Sequence, residues 1–376
     1  MKYIVVHQHK YSIRITEGVN SIKSPISEKI QSYSSYMNSI TVLPDFFVDR
    51  IIRLQSKEDF FNNLSEKASF GGGSIRDIST VDVKGGNAVN IAYCLAKLGM
   101  KTSLFTIADD IGLSILKHVF SRFDESKIHL RITKGKHGHT TAFEFLADKN
   151  SSSKVNVMVS DVGDNINFGP DRITSEEDLS ILKNSDGVML VNWGSNLKGS
   201  QLAEHVFKNS PKALHFLDPA DIENRKSDFL VTLREISQFT DVLSINENEC
   251  NSLSSAIGFA PLIPKNENYT VDDIKNSAMM LAKKIGMSID LHTRKGAAWS
   301  NGNEIVFVHP IKVEPKTLTG AGDSWDAADI IGYLAGLEPK ERLLFSNACA
   351  SLYVRNPDGE PATLNEAADL LDRITM

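Results

Sequence analysis

Apolar runs and helical stripes alternate along most of the chain. Ile40-Thr41-Val42-Leu43, ending at Pro44, has the pattern of a buried strand. Ile91, Ala92, Leu95 and Leu98 share one face of a predicted helix over 88–98, and Gly99 stands where that helix should stop. Leu104, Phe105 and Ile107 predict a strand, and residues 115–120 a helix. Further strands are predicted at 188–191, 215–217 and 242–245, with helices around 201–208 and 229–239 between them. Strands alternating with helices in this way predict an α/β chain whose mainly parallel sheet is covered on both faces. Two stretches break the alternation. Val48, Ile51, Ile52 and Leu54 lead into Gly71-Gly72-Gly73 and then Ile75, Ile78 and Val81 in a polar setting. Phe143, Phe145, Val155, Val157 and Val159 alternate around the turn-rich stretch 148–153, a hairpin pattern. Together these segments, near 45–82 and 138–162, predict a small β lid over the sheet's edge. Residues 1–38 mix short β-branched runs, Ile4-Val5-Val6 and Ser12-Ile13-Arg14-Ile15, with Ser and Lys. They are expected to form an appendage, leaving 39–376 as the main domain.

Composition narrows the class. A chain of 376 residues is longer than the roughly 250–300 at which a single core stops growing. One large core with appended pieces, or two modest domains, is expected. The formal charge of −6 lacks the basic footprint of a nucleic-acid binder. Cys94, Cys250 and Cys349 lie far apart without a CxxC pair, so free thiols are expected rather than a zinc ribbon. No stretch approaches the roughly 20 apolar residues of a membrane span. His7, Gln8, His9, Lys10 and Arg14 interrupt any signal-peptide core. A cytoplasmic protein with no membrane partner is the expectation.

The most informative chemistry is Thr319-Gly320-Ala321-Gly322-Asp323, where a glycine turn opens a helical stripe through Ile331 and Leu334. Amides at such a turn join the unpaired donors of a helix's first turn and attract phosphate or developing negative charge. A carboxylate there opposes mere phosphate binding. It makes sense where a hydroxyl must lose its proton while the amides stabilise a transferring phosphoryl group. The plain alternative is an aspartate capping a helix.

Taken in order, the motifs resemble the ribokinase-like carbohydrate kinase family, the phosphofructokinase B group, from about Ile40 to the C-terminus. Gly85-Gly86-Asn87-Ala88-Val89-Asn90, with Ala92, Leu95, Leu98 and Gly99, resembles the family's first signature. Ala108-Asp109-Asp110-Ile111-Gly112 is similar to the element after the family's next strand, and 320–323 to the second signature. The resemblance implies a ribokinase-like three-layer α/β sandwich and a kinase for a small-molecule alcohol. It assigns Asp323 as catalytic base, and the amides of Gly320, Ala321 and Gly322 as the anion hole. Gly85, Gly86, Asn87, Asn90 and Asp49 would bind the acceptor. Asn246 and Glu249, in Asn246-Glu247-Asn248-Glu249, would organise water around Mg2+ on the nucleotide; a polar helix start is the alternative. Thr293, Lys295 and Gly296, in Leu291-His292-Thr293-Arg294-Lys295-Gly296, and Asn347 on a later helix would contact the nucleotide. For Lys295 an exposed cationic turn serves equally well, and for Asn347 helix–sheet packing does.

Departures from the family pattern bear on detail. Thr317-Leu318 stand where the family keeps Asp-Thr, and Asp326 adds a carboxylate one turn beyond Asp323, close enough for each to raise the other's proton affinity. Phe46, Phe47, Phe60, Phe61 and Phe70 would form a lid core or stack a nucleoside base. Sugar, sugar phosphate or nucleoside as acceptor, and ATP or ADP as donor, all stay open. A nucleoside kinase, or a non-catalytic sugar- or nucleotide-binding regulator on the same scaffold, is the alternative function. A homodimer through the lid is a further expectation from the resemblance.

Overall fold

A computed structural model describes residues 24–35, 39–146, 154–264 and 268–375. The suggested strands between Ile4 and Ile15 and the turn at 148–153 lie outside these. The strands are, in chain order, Ser39–Leu43 (β1), Phe47–Arg53 (β2), Ser79–Gly85 (β3), Lys101–Ala108 (β4), Ile128–Lys134 (β5), Gly138–Leu146 (β6) and Lys154–Asp161 (β7). Gly187–Val191 (β8), Leu214–Asp218 (β9), Val242–Ile245 (β10), Ser288–Thr293 (β11), Gly296–Ser300 (β12) and Ile305–Val308 (β13) follow.

Nine strands form the main sheet in the order β13-β12-β11-β10-β9-β8-β1-β4-β5. From β11 to β5 every neighbouring pair is parallel; the β11–β12 and β12–β13 pairs are antiparallel, so β12 alone runs against the others. Strand alternation divides the core. On β8, Val188 and Leu190 join one buried cluster, Met189 and Val191 the other; on β1, Leu43 faces one way, Ile40 and Val42 the opposite way. Helices cover both clusters, so the fold is a three-layer α/β sandwich, as the alternation predicted. All three cysteines are buried and free.

The lid is a separate four-stranded sheet, β3-β2-β6-β7, with β2 and β6 parallel and the outer pairs antiparallel. One lid element was not foreseen. Helix Lys57–Ser69, between β2 and β3, starts where Ser56 accepts from the Asp59 amide at 3.2 Å. It lies on one lid face, with Phe60 against Phe143 (centroids 5.8 Å) and Lys57 over Phe145. No residue of it is fully buried. The aromatics therefore divide: Phe60 belongs to the lid's packing, Phe46 to the main core, and Phe70 is 80% exposed.

The expected domain boundary at residue 39 cuts through the core. Helix Pro25–Ser35 buries Ile26 and Ile30 in the main cluster, and Ser27 donates to Asp372 at 2.7 Å. Its stripe, two isoleucines four residues apart, is too short to stand out against the polar sequence around it. No helix among the described residues is long and apolar enough to cross a membrane.

Candidate active site

Parallel strands present their carboxyl ends at one edge of the sheet, where open α/β folds bind ligands. Here Asp45, Asn192, Asp218, Asn246 and His292 lie within two residues of the ends of β1, β8, β9, β10 and β11. Successive connections leave β1 toward β4 and β8 toward β9, so the β1–β8 boundary is the topological switch point. A cavity of about 410 Å3 opens here. Asn87, Asp218, Asn246, Glu249, His292, Gly322 and Asp323 are among the residues lining it. The three motifs, scattered over the sequence, thus share one cleft.

Three helices aim their N-termini at it. Helix Ala321–Leu334 begins after Gly320, whose φ of 88° and closeness to the Tyr353 hydroxyl leave no room for a side chain. Asp323 is the third helical residue and makes no capping bond, so the capping alternative does not hold. Its Oδ2 instead accepts from Asn90 Nδ2 at 2.9 Å. Asp323 is 7% exposed, and burial pushes its carboxyl up to about 8; Asp218 and Asp45 add to the rise, while Asn90 and Lys84 oppose it. One expected anion-hole donor is corrected. The Ala321 amide is donated to the Leu318 carbonyl at 3.2 Å within the turn. The amides of Gly322 and Asp323, without intrahelical acceptors, remain to face the cavity.

Helix Asn87–Lys97 starts after Gly86, which has no side chain to cap it. Asp45 does so from the loop after β1: its carboxylate accepts from the Asn87 and Ala88 amides and from Asn192 Nδ2, each at 2.9 Å. Burial nevertheless raises its carboxyl above the ordinary range. Asn90 Oδ1 accepts from Lys84 Nζ at 2.9 Å. Asp49 on β2 lies so close to Gly85 that a Cβ there would overlap its carboxylate. Burial lifts the Asp49 carboxyl to about 6, against a hydrogen bond from Thr140.

Asn246 caps helix Glu247–Ala256 in a capping box: its Oδ1 accepts from the Asn248 and Glu249 amides, and Glu249 Oε2 accepts from the Asn246 amide. The helix-start alternative is therefore present, yet both side chains also line the cavity. Burial raises the Glu249 carboxyl well above the usual range, with Asp218 adding to it. Among the described residues no cluster of three or more His, Cys, Asp or Glu could hold a metal by itself. The hard oxygens of Asn246, Glu249 and Asp218 along the cavity still fit a magnesium ion that keeps its waters.

Four expected nucleotide contacts stand apart. Thr293 and Gly296 close the β11–β12 turn on each other, Thr293 Oγ1 donating to the Gly296 carbonyl at 2.7 Å. Lys295 Nζ donates to the Tyr269 carbonyl at 2.8 Å. Asn347 accepts from Trp325 Nε1 and donates to the His309 carbonyl. None of the four lines the cavity; His292, next to Thr293, does. Burial lowers the His292 imidazole to about 4, keeping it neutral. Nor do Asp323 and Asp326 act chiefly on each other. Asp326 accepts from Ser244 Oγ at 2.6 Å, and burial, then Asp218, raises its carboxyl. Lys84, Asp218 and His292 were not foreseen; their places at the carboxyl ends of β9 and β11 are the signal that could have found the last two.

The model of the pfkB family carbohydrate kinases matches residues 51–364. A Bacillus subtilis (strain 168) ribokinase is 35% identical over 80 residues, 21% of this chain and 27% of that relative; the match thus spans about a quarter of the relative's length. Among solved structures, an Arabidopsis thaliana ribokinase complexed with ribose and ATP superposes with TM-score 0.65 at 20% identity, covering 89% of this chain and 98% of that one. An adenosine kinase from Sinorhizobium meliloti gives 0.66 at 18%, covering 90% and 99%. A Cryptococcus neoformans ribokinase in complex with ADP gives 0.65 at 17%, covering 89% and 98%. The family match runs through most of the lid, every strand of the main sheet but β1, and both glycine segments, and the chain accordingly belongs to the pfkB family of carbohydrate kinases.

Proposed function

We propose that the protein is a small-molecule kinase that moves the terminal phosphoryl group of a nucleotide onto a hydroxyl of a sugar or a nucleoside. The observation that carries this is the Asp323 carboxylate, seated beside the free amides of a helix N-terminus in the cavity that also holds Asn87 and Glu249. The acceptor hydroxyl gives its proton to Asp323 as its oxygen bonds to phosphorus. The bond from phosphorus to the bridging oxygen breaks, and the departing nucleotide keeps the electron pair. Amides of Gly322 and Asp323 stabilise charge on the transferred group; one such donor is worth about 2.7–4 kcal/mol. Magnesium held through water by Asn246 and Glu249 would neutralise the phosphates. Asp49, Gly85, Gly86 and Asn90 hold the acceptor on the lid side, and the lid excludes water.

A nucleoside acceptor draws support from the lid. Asn156 Nδ2 lies 3.4 Å from Thr319 Oγ1, so the lid face carrying Asn156 looks onto the cleft. By strand alternation and register, Met158, Val83 and Val81 share that face, and all three are exposed. They suit an acceptor with an apolar side. A coupled assay over free sugars, sugar phosphates and nucleosides, each with ATP and with ADP, tests the reading. Turnover on at least one pair is expected; binding without product on every pair favours the regulator.

The pH profile is a second check. A protonated Asp323 accepts nothing, and burial places its carboxyl at about 8. In the free enzyme, kcat/KM should rise as pH climbs toward about 8 and level off beyond it. A profile flat from about pH 6 to about pH 9 would remove Asp323 as the base.

A further inference from the structure

We infer that Lys84 is a positioning residue: its ammonium group fixes the Asn90 side-chain amide so that Nδ2 meets Asp323, and thereby sets how the base faces the acceptor. This rests on the kinase reading above. The three groups form a chain, Lys84 Nζ to Asn90 Oδ1 at 2.9 Å and Asn90 Nδ2 to Asp323 Oδ2 at 2.9 Å. An amide has one accepting end and one donating end. Only the present orientation satisfies both neighbours. Turned over, Asn90 would point its NH2 at an ammonium and its carbonyl at a carboxylate.

Lys84 is itself held in place. Its Nζ sits 4.5 Å over the Tyr93 ring, and the Tyr93 hydroxyl donates to Glu360 at 2.9 Å. Burial lowers the Lys84 ammonium, while Cys94, Asp323, Glu360 and Asp49 support its charge. Asp323 is faced by Asp218 from β9, Asp45 from the loop after β1, Tyr353 from the helix Pro339–Arg355 and Asp326 from its own helix. The Lys84 ammonium opposes the Asp218 and Asp45 carboxylates at Asp323. It lies on β3, a lid strand, and Asn90 on a helix of the main body, so the chain also ties lid to base.

The test compares Lys84→Met, which keeps the stem over Tyr93, with Lys84→Arg, on an acceptor the wild type turns over. Lys84→Met should lower kcat about tenfold near neutral pH and move the acidic limb of the profile up by about one unit. KM for the nucleotide should stay unchanged, and Lys84→Arg should restore the limb. In an Asn90→Ala background, Lys84→Met should cost less than about twofold more, because coupled residues are not additive. Should Lys84→Met fail to fold, Lys84→Gln serves for the same comparison. An unmoved limb, or an equal loss in both backgrounds, overturns the inference. A wild type silent on every acceptor would overturn the kinase reading instead.

Discussion

Asp323→Asn is expected to lower kcat by about 10²–10⁴-fold, the range a general base contributes. Asparagine keeps the shape and an oxygen for the Asn90 bond, so nucleotide affinity measured by calorimetry should be retained. Stability gives an independent sign. The folded-state carboxyl titrates at about 8, above its unfolded value. Its contribution is therefore complete at low pH and lost as pH rises through about 8. The asparagine variant does not titrate there, so it should melt above the wild type at alkaline pH, the difference vanishing in acid. Near-normal turnover by this variant would show that another group takes the proton.

Arg342→Met should have the largest effect on stability. Arg342, 1% exposed, joins helix Pro339–Arg355 to two fully buried carboxylates, Asp290 on β11 and Asp329 on helix Ala321–Leu334. Its guanidinium also lies 3.7 Å over the Tyr333 ring, and Tyr333 donates to Asp290 at 2.8 Å. Burial opposes the arginine's charge, yet the two carboxylates outweigh it and hold the group charged. Removing one partner of such a cluster costs about 3–5 kcal/mol, because the remaining charges are left buried and uncompensated. Burial already raises the Asp290 and Asp329 carboxyls, and losing the cation raises them further. Their protonated forms then favour the fold, so the variant should lose stability as pH rises, more steeply than the wild type. Adding Asp290→Asn and Asp329→Asn should recover part of the loss. Thermal melts at two pH values suffice; a single variant within about 1 kcal/mol of wild type would mean the cluster is not the anchor it looks to be. Helix Ala321–Leu334 also carries Asp323 at its start, so this cluster helps hold that carboxyl in place.

Features set by local pattern were legible in the sequence. Helix Asn87–Lys97 shows its stripe, the strands of the parallel sheet show as short apolar runs, and 320–323 announces a turn into a helix. What was not legible depends on contacts far apart in the chain. The cap of helix Asn87–Lys97 comes from Asp45, 42 residues before the amide it receives, because Gly86 at the cap position offers no oxygen. Lys84 precedes an informative glycine pair but acquires its place only when β3 packs beside Asn90 and Tyr93. Asp218 and His292 sit in the cleft only because the sheet order brings β9 and β11 to one edge. For Thr293 and Lys295, which the resemblance implies as nucleotide contacts, the local groups bond instead to the Gly296 and Tyr269 carbonyls, partners that the run of residues does not reveal.

The most direct measurement is phosphorus NMR of the reaction mixture, following nucleotide, phosphate ester and inorganic phosphate together for the wild type and Asp323→Asn. The wild type should form an ester of an added alcohol in step with nucleotide loss, with little free phosphate, and the variant should form none. Free phosphate without ester, or ester formed equally by both proteins, would contradict an alcohol kinase that uses Asp323 as its base.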